Sequence, residues 1–261
     1  MSSSIEGGAA GGRPANGAAS PIDVGAVIGR TFQIYVDQAP VLMPAAAVVA
    51  VFAVVLSALL IAASPGLAVV ALLITFMATT LFTGMVVELV ADVQDGRRDA
   101  SVGKLLRAVT PVFGQLIMVA LLAGLGIGFG LLLLVVPGLI LATLWSVAAP
   151  VVVLEHPGAT RALGRSRELV RGNGWNVFAV ILLLVILVPV VGGAVELAAD
   201  AAGTGVGLVV RVVVGILTAP ISALAAAVLY FDLRKAHGDS GTMQEPDLPS
   251  FQSGPFPPAV P

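Results

Sequence analysis

Cysteine is absent from the 261-residue chain, which excludes a disulfide framework, a thiolate nucleophile, an iron-sulfur ligand and a thiolate zinc site. Charge is scarce too. Only 11% of the residues are Asp, Glu, Lys or Arg, against 58% hydrophobic, and mean hydropathy is +1.04. A soluble fold needs a polar shell that so few charges cannot supply, so the bilayer is the expected solvent. Just two histidines occur, His156 and His237, and neither sits in a metal-ligating spacing such as H-E-x-x-H. No metal and no cofactor is therefore expected. The net charge of -2 argues against nucleic acid as a partner.

What is present is a series of long apolar runs between two polar ends. Residues 1–22 are rich in Ser, Gly and Ala, lack the basic start and apolar stretch of a secretory signal, and are expected to be a disordered tail. Residues 238–261, broken by Pro246, Pro249, Pro255, Pro257, Pro258 and Pro261, are expected to be a second one. Between them, residues 23–237 form the expected transmembrane domain. A helix needs about 20 apolar residues to cross the hydrocarbon, and six stretches qualify: 40–63, 67–90, 112–136, 138–154, 175–195 and 211–231. Ser64-Pro65-Gly66 and Val136-Pro137-Gly138 are the expected tight turns after the first and third.

The cations then fix an orientation. Arg13 and Arg30 precede the first span, Arg97, Arg98, Lys104 and Arg107 lie between the second and third, Arg161, Arg165, Arg167 and Arg171 between the fourth and fifth, and Arg234 and Lys235 follow the sixth. All share one side, leaving only Arg211 on the other, so the positive-inside rule places both termini in the cytoplasm of a multi-pass cell-membrane protein. Tyr35, Phe113, Trp175, Tyr230 and Phe231 fall near the same interface, where amphipathic rings prefer to sit.

Each odd-numbered span follows a short amphipathic stretch. Asp23 caps one whose apolar face carries Val24, Val27, Ile28, Phe32 and Tyr35; Ser101 caps another, striped by Val102, Leu105, Leu106 and Val109; in the third, Ala162, Leu163, Leu169 and Val170 oppose Arg161, Arg165, Arg167, Glu168 and Arg171. Such helices lie in the membrane surface, apolar face down and cations toward anionic headgroups. The expected fold is thus an all-α polytopic bundle of six spans with three interfacial helices on the cytoplasmic side.

Several segments resemble a known family. Pro137-Gly138, Ala149-Pro150-Val151-Val152-Val153-Leu154-Glu155, the run from Ala162 to Gly172, Trp175, and the ending from Ala219-Pro220 to Leu229-Tyr230-Phe231-Asp232-Leu233-Arg234 are similar to the membrane domain of some glycerophosphoryl diester phosphodiesterases and of many stand-alone six-span proteins. The resemblance implies a six-span domain. In the fused relatives hydrolysis belongs to a separate barrel, which takes about 250 residues, and no soluble segment here approaches that, so the resemblance implies no activity for this chain.

The candidate contacts for lipid headgroups or a membrane partner are Arg161, Arg165, Arg167 and Arg171, with Lys104 and Arg107; the competing reading is that these cations serve topology alone. Glu88 and Asp92, four apart on one helix face, are the candidate intramembrane polar site; pairing of Glu88 with Arg97, Arg98 or a nearby basic helix is the plainer alternative. Gly124 and Gly128 are expected at a close helix contact, Ala219, Ala223 and Ala227 at another, and Ser166 as a small residue permitting tight docking. Arg211 is expected to snorkel or to pair with Glu196 or Asp200. With no catalytic constellation, the expected function is a non-enzymatic scaffold or accessory protein contacting anionic lipids or membrane partners. A small-molecule or lipid transporter is the alternative, and a membrane-embedded lipid hydrolase the third reading.

Overall fold

A computed structural model describes residues 22–96, 101–201 and 203–238; the expected disordered tails, and Arg97 and Arg98, lie outside these but for Ile22 and Gly238. Among the described residues all regular structure is helical, as the apolar runs require, since in lipid every backbone polar group must be paired within its own segment. Five helices are long and apolar enough to cross a membrane: Ala39–Ala63, Pro65–Gln94, Val102–Leu133, Val135–Glu155 and Gly205–Ala236. The remaining expected span, 175–195, lies within a helical run made of α9 (Gly174–Val180), a π-helical stretch (Ile181–Leu187) and α10 (Val188–Asp200).

The three amphipathic stretches are helices α1 (Val24–Asp37), α4 (Val102–Val109) and α8 (Ala159–Val170). Asp23 accepts from the Gly25 and Ala26 amides, and Ser101 from Lys104, so both expected caps form. Their apolar faces, however, are turned against the bundle. In α1 the buried stripe is Val27, Thr31 and Ile34, with Phe32 left outside; in α4 it is Leu105 and Val109, while Val102 and Leu106 stay exposed. A polar Thr31 tolerates the buried position because its hydroxyl donates to the Val27 carbonyl at 2.8 Å.

The spans are α2 (Ala39–Ala63), α3 (Ala68–Gln94), α5 (Phe113–Leu133), the broken pair α6 (Val135–Leu144) and α7 (Ala148–Glu155), and α11 (Thr204–Ala236). The first turn forms as expected, at Ser64 and a 3-10 segment Pro65–Leu67. The second is moved: only Leu134 is extended, and Val136-Pro137-Gly138 lie in the first turn of α6, where a proline's missing N–H is no loss. The break between α6 and α7 has a proline cause too. Pro150 cannot donate to Ser146 four residues back, and the helix restarts after residues 145–147.

The core is concentrated at one end of the bundle. Val86, Val87, Leu89 and Val90 of α3, Val151 to Val153 of α7 and Leu224 to Leu233 of α11 pack there with the starts of α5 and α9. The amphipathic helices α1, α4 and α8 close over this end, hereafter the basic end for the cations of α4 and α8. The far end is open: Leu125, Phe129 and Leu132 to Val136 of the α5–α6 hairpin are exposed apolar side chains, which suits lipid contact. Pro220 inside α11 has no N–H to give the Ile216 carbonyl, and the Tyr35 hydroxyl of α1 donates to the next carbonyl, Leu217, at 3.0 Å. Burial pushes the Tyr35 hydroxyl above its ordinary pKa, so it stays a donor.

The small-residue contacts differ from expectation. Gly124 and Gly128 face open space; the close approaches are at Gly126, against the Trp145 ring, and at Gly130, where an added Cβ would lie 2.9 Å from the Gly138 Cα. The seam lies two residues further along because α5 presents the face bearing Gly126 and Gly130 to its hairpin partner. On α11, Ala223 and Ala227 are buried as the seam requires, but Ala219 is exposed.

Candidate functional site

The basic end is built around a sharp turn. His156 takes a left-handed conformation (φ 54°) after α7, Pro157 ends the helix, and Gly158 adopts φ 89°, a region open to glycine at no cost. The turn folds α8 back across α5, α6 and α7. Ala162, Ser166, Leu169 and Val170 are then fully enclosed. Ser166 is more than a small residue: its hydroxyl donates to the Leu144 carbonyl at 2.8 Å, occupying an acceptor that the α6–α7 break leaves free. With the apolar face spent on protein, Arg161, Arg167 and Arg171 point outward, exposed and with no ion pair among the described residues.

Arg165 differs from those three. Its Nε donates to Glu155 Oε2 at 3.2 Å, and its guanidinium lies 3.8 Å from Glu168. The other Glu155 oxygen accepts from the Tyr230 hydroxyl at 2.8 Å, and Arg234 also hydrogen-bonds that hydroxyl. Tyr230 is wholly buried among the helices, so its ring is not on the lipid-facing surface, whereas Trp175 is 83% exposed. The sequence signal for this cluster is Glu155 itself, since an acid in the last turn of a helix opposes the macrodipole and calls for a compensating partner.

Of the remaining candidates, Asp92 and Lys104 are brought together at 3.6 Å, docking α4 on the end of α3. Arg107 is exposed and makes no ion pair among the described residues. Glu88, one turn deeper than Asp92, is half-buried and makes no ion pair or hydrogen bond among the described residues. At the far end Arg211 pairs with Asp200 at 3.0 Å and Glu196 at 3.5 Å, so its charge is locally compensated. Among the described residues no three His, Asp or Glu side chains gather as a metal site.

A groove of about 760 Å³ opens between α6 and the start of α9. Its walls are apolar, chiefly Leu139, Ile140 and Phe178, and Trp175 stands at its side. Asn173, the residue before α9, also lines it and is 3% exposed. The Asn173 side-chain oxygen, Oδ1, accepts from the Ile22 amide at 3.2 Å, while the side-chain nitrogen has no partner. A buried donor left unpaired costs about 1–3 kcal/mol. The pattern Gly172-Asn173-Gly174 at a helix start was the signal in the sequence.

No family model matches the chain, so the expected likeness to the phosphodiesterase membrane domain gains no support there, and no solved structure matches either. The chain is similar to a UPF0259 membrane protein of Pectobacterium carotovorum subsp. carotovorum, at 38% identity over 93 residues, covering 36% of this chain and 37% of the relative. The match therefore spans little more than a third of that relative's length. Together with the apolar helices it supports an integral membrane protein.

Proposed function

We propose that this chain acts without catalysis, as a scaffold or accessory protein of the cell membrane whose basic end faces the cytoplasm and engages anionic headgroups or an acidic membrane partner. The observation that carries the reading is the docking of α8: its apolar face is used up inside the bundle, so Arg161, Arg167 and Arg171 are held outward on a rigid element with their charges uncommitted. Arg165 and Lys104 support the platform from within, through Glu155 and Asp92, and Arg107 extends it.

Replacing Arg161, Arg167 and Arg171 together by Gln is expected to weaken the preference of the purified protein for anionic over zwitterionic phospholipid by at least about tenfold, since each cation near such a surface contributes about 1 kcal/mol. Native mass spectrometry of retained lipids reads this directly, and an unchanged preference defeats the headgroup reading. Orientation is tested separately, because a chain without cysteine accepts single reporters cleanly. Gly103→Cys should react with an impermeant maleimide only after permeabilisation, and Ala201→Cys should react on intact cells. The reverse pattern would invert the topology. A transporter is the second reading, favoured by Glu88 alone, an uncompensated carboxylate within a span; Glu88 does not line the groove between α6 and α9.

A further inference from the structure

We propose that the groove between α6 and the start of α9 is a specific site for one glycerophospholipid, recognised through its acyl ester rather than its headgroup charge. The inference rests on the chain's place in the membrane and is independent of the basic face. Four observations converge on it. The groove walls are apolar and no charged residue lines them, which suits an acyl chain and leaves nothing to read a headgroup charge. Asn173 presents a donor, and chemistry fixes which one: the Ile22 amide needs an acceptor, so the carboxamide oxygen must face it and the NH2 is what remains for a ligand.

A second buried orphan among the described residues, the Ser146 hydroxyl, lies two residues along the chain from the groove-lining Leu144. Trp175, with its ring outside the core, marks the groove as interfacial, the depth at which ester carbonyls of a bilayer lie. An acyl chain laid against Leu139 and Ile140 with its ester at Asn173 supplies both the apolar contact and the missing acceptor. The other large apolar groove, on α2, has Val51 and Phe52 in its walls and no polar side chain, so it is a surface for bulk lipid by the same criterion.

The test uses the full chain in detergent micelles and native mass spectrometry with dioleoyl phosphatidylcholine, a zwitterionic lipid chosen so that the basic face does not contribute. Wild type is expected to retain one such lipid. The dialkyl ether analogue, which lacks the ester carbonyl, should be held about fivefold less well, the worth of one hydrogen bond. Ile140→Trp, at a position 53% exposed and so tolerant of bulk, should fill the groove and lower retention at least about fivefold. Asn173→Leu should abolish the difference between ester and ether lipids; if that variant does not fold, the comparison on wild type decides alone. Equal retention of the two lipids by wild type, or no loss in Ile140→Trp, overturns the site. So does an equal loss in Val51→Trp on the α2 groove, which would show bulk lipid only.

Discussion

Glu155→Ala is expected to lower the stability of the solubilised protein by about 2–3 kcal/mol, the largest effect of any single substitution at the basic end. The reason is that one carboxylate serves three helices. Its two oxygens accept from Tyr230 of α11 and Arg165 of α8, and it sits at the last residue of α7. Without it the Tyr230 hydroxyl, wholly buried, loses its acceptor. Arg165, whose side chain is 32% exposed, keeps Glu168 and can turn outward, so its share of the loss is small. Tyr230→Phe should cost less, about 1 kcal/mol, because Glu155 remains paired with Arg165.

The double variant separates this account from simple loss of packing. Once Glu155 is gone, the Tyr230 O–H has no acceptor, although Arg234 still bonds its oxygen. Glu155→Ala with Tyr230→Phe should therefore cost less than the sum of the two single changes, a coupling of up to about 1 kcal/mol in a thermal or denaturant cycle. Strict additivity would mean that the 2.8 Å contact carries no energy. A second readout follows from position. Loosening Glu155 frees α8 from α7, so the Arg161, Arg167 and Arg171 platform should lose its fixed geometry, and anionic-lipid preference should fall together with stability. Arg165→Gln, which leaves Tyr230 bonded to Glu155, should give the smaller drop in both.

The parts of this molecule that could be read from its residues are those governed by local rules. Span positions follow from apolar length, and the caps at Asp23 and Ser101 follow from side-chain chemistry at a helix start. The amphipathic division of α8 correctly sorted Arg161, Arg167 and Arg171 outward, because a period of 3.6 residues fixes which side chains share a face. What could not be read is what covers the other face. The same pattern serves a helix lying on lipid and one docked on protein, and only the turn at His156 and Gly158 decides between them. Glu155 and Tyr230 are 75 residues apart in sequence, and no local signal joins them. A lone amide near a turn is ordinarily a cap, and the orphan nitrogen of Asn173 exists only once Ile22 has claimed the oxygen.

The glycines of α5 give the other large expected effect and the sharpest contrast, since four of them lie at alternate positions of one helix. Gly130→Ala places a methyl 2.9 Å from the Gly138 Cα and 3.0 Å from its nitrogen, and the same change at Gly138 meets the Leu131 amide at 2.6 Å. At Gly130 the obstacle is backbone, and at Gly138 the Leu131 side chain is met first with the backbone amide close behind it, so side-chain rotation alone relieves neither and the α5–α6 hairpin must open. Overpacking of this kind costs about 1–3 kcal/mol, and more where nothing yields. In a membrane the loss is not offset by renewed burial of apolar surface, because lipid is as apolar as the contact it replaces; close packing is what holds such helices together. Gly126→Ala meets the Trp145 ring, 2.7 Å from its Cη2 atom, and should shift Trp145 emission as the ring is displaced. Gly124→Ala and Gly128→Ala meet nothing within 4 Å and exchange a poor helix former for the best one, so they should be neutral or stabilising by up to about 1 kcal/mol. Unfolding midpoints of the four alanine variants of α5 in detergent should therefore fall into two pairs, with Gly126 and Gly130 low and Gly124 and Gly128 at or above wild type. The opposite grouping would return the close contact to the Gly124–Gly128 face and place the hairpin on the wrong side of the helix.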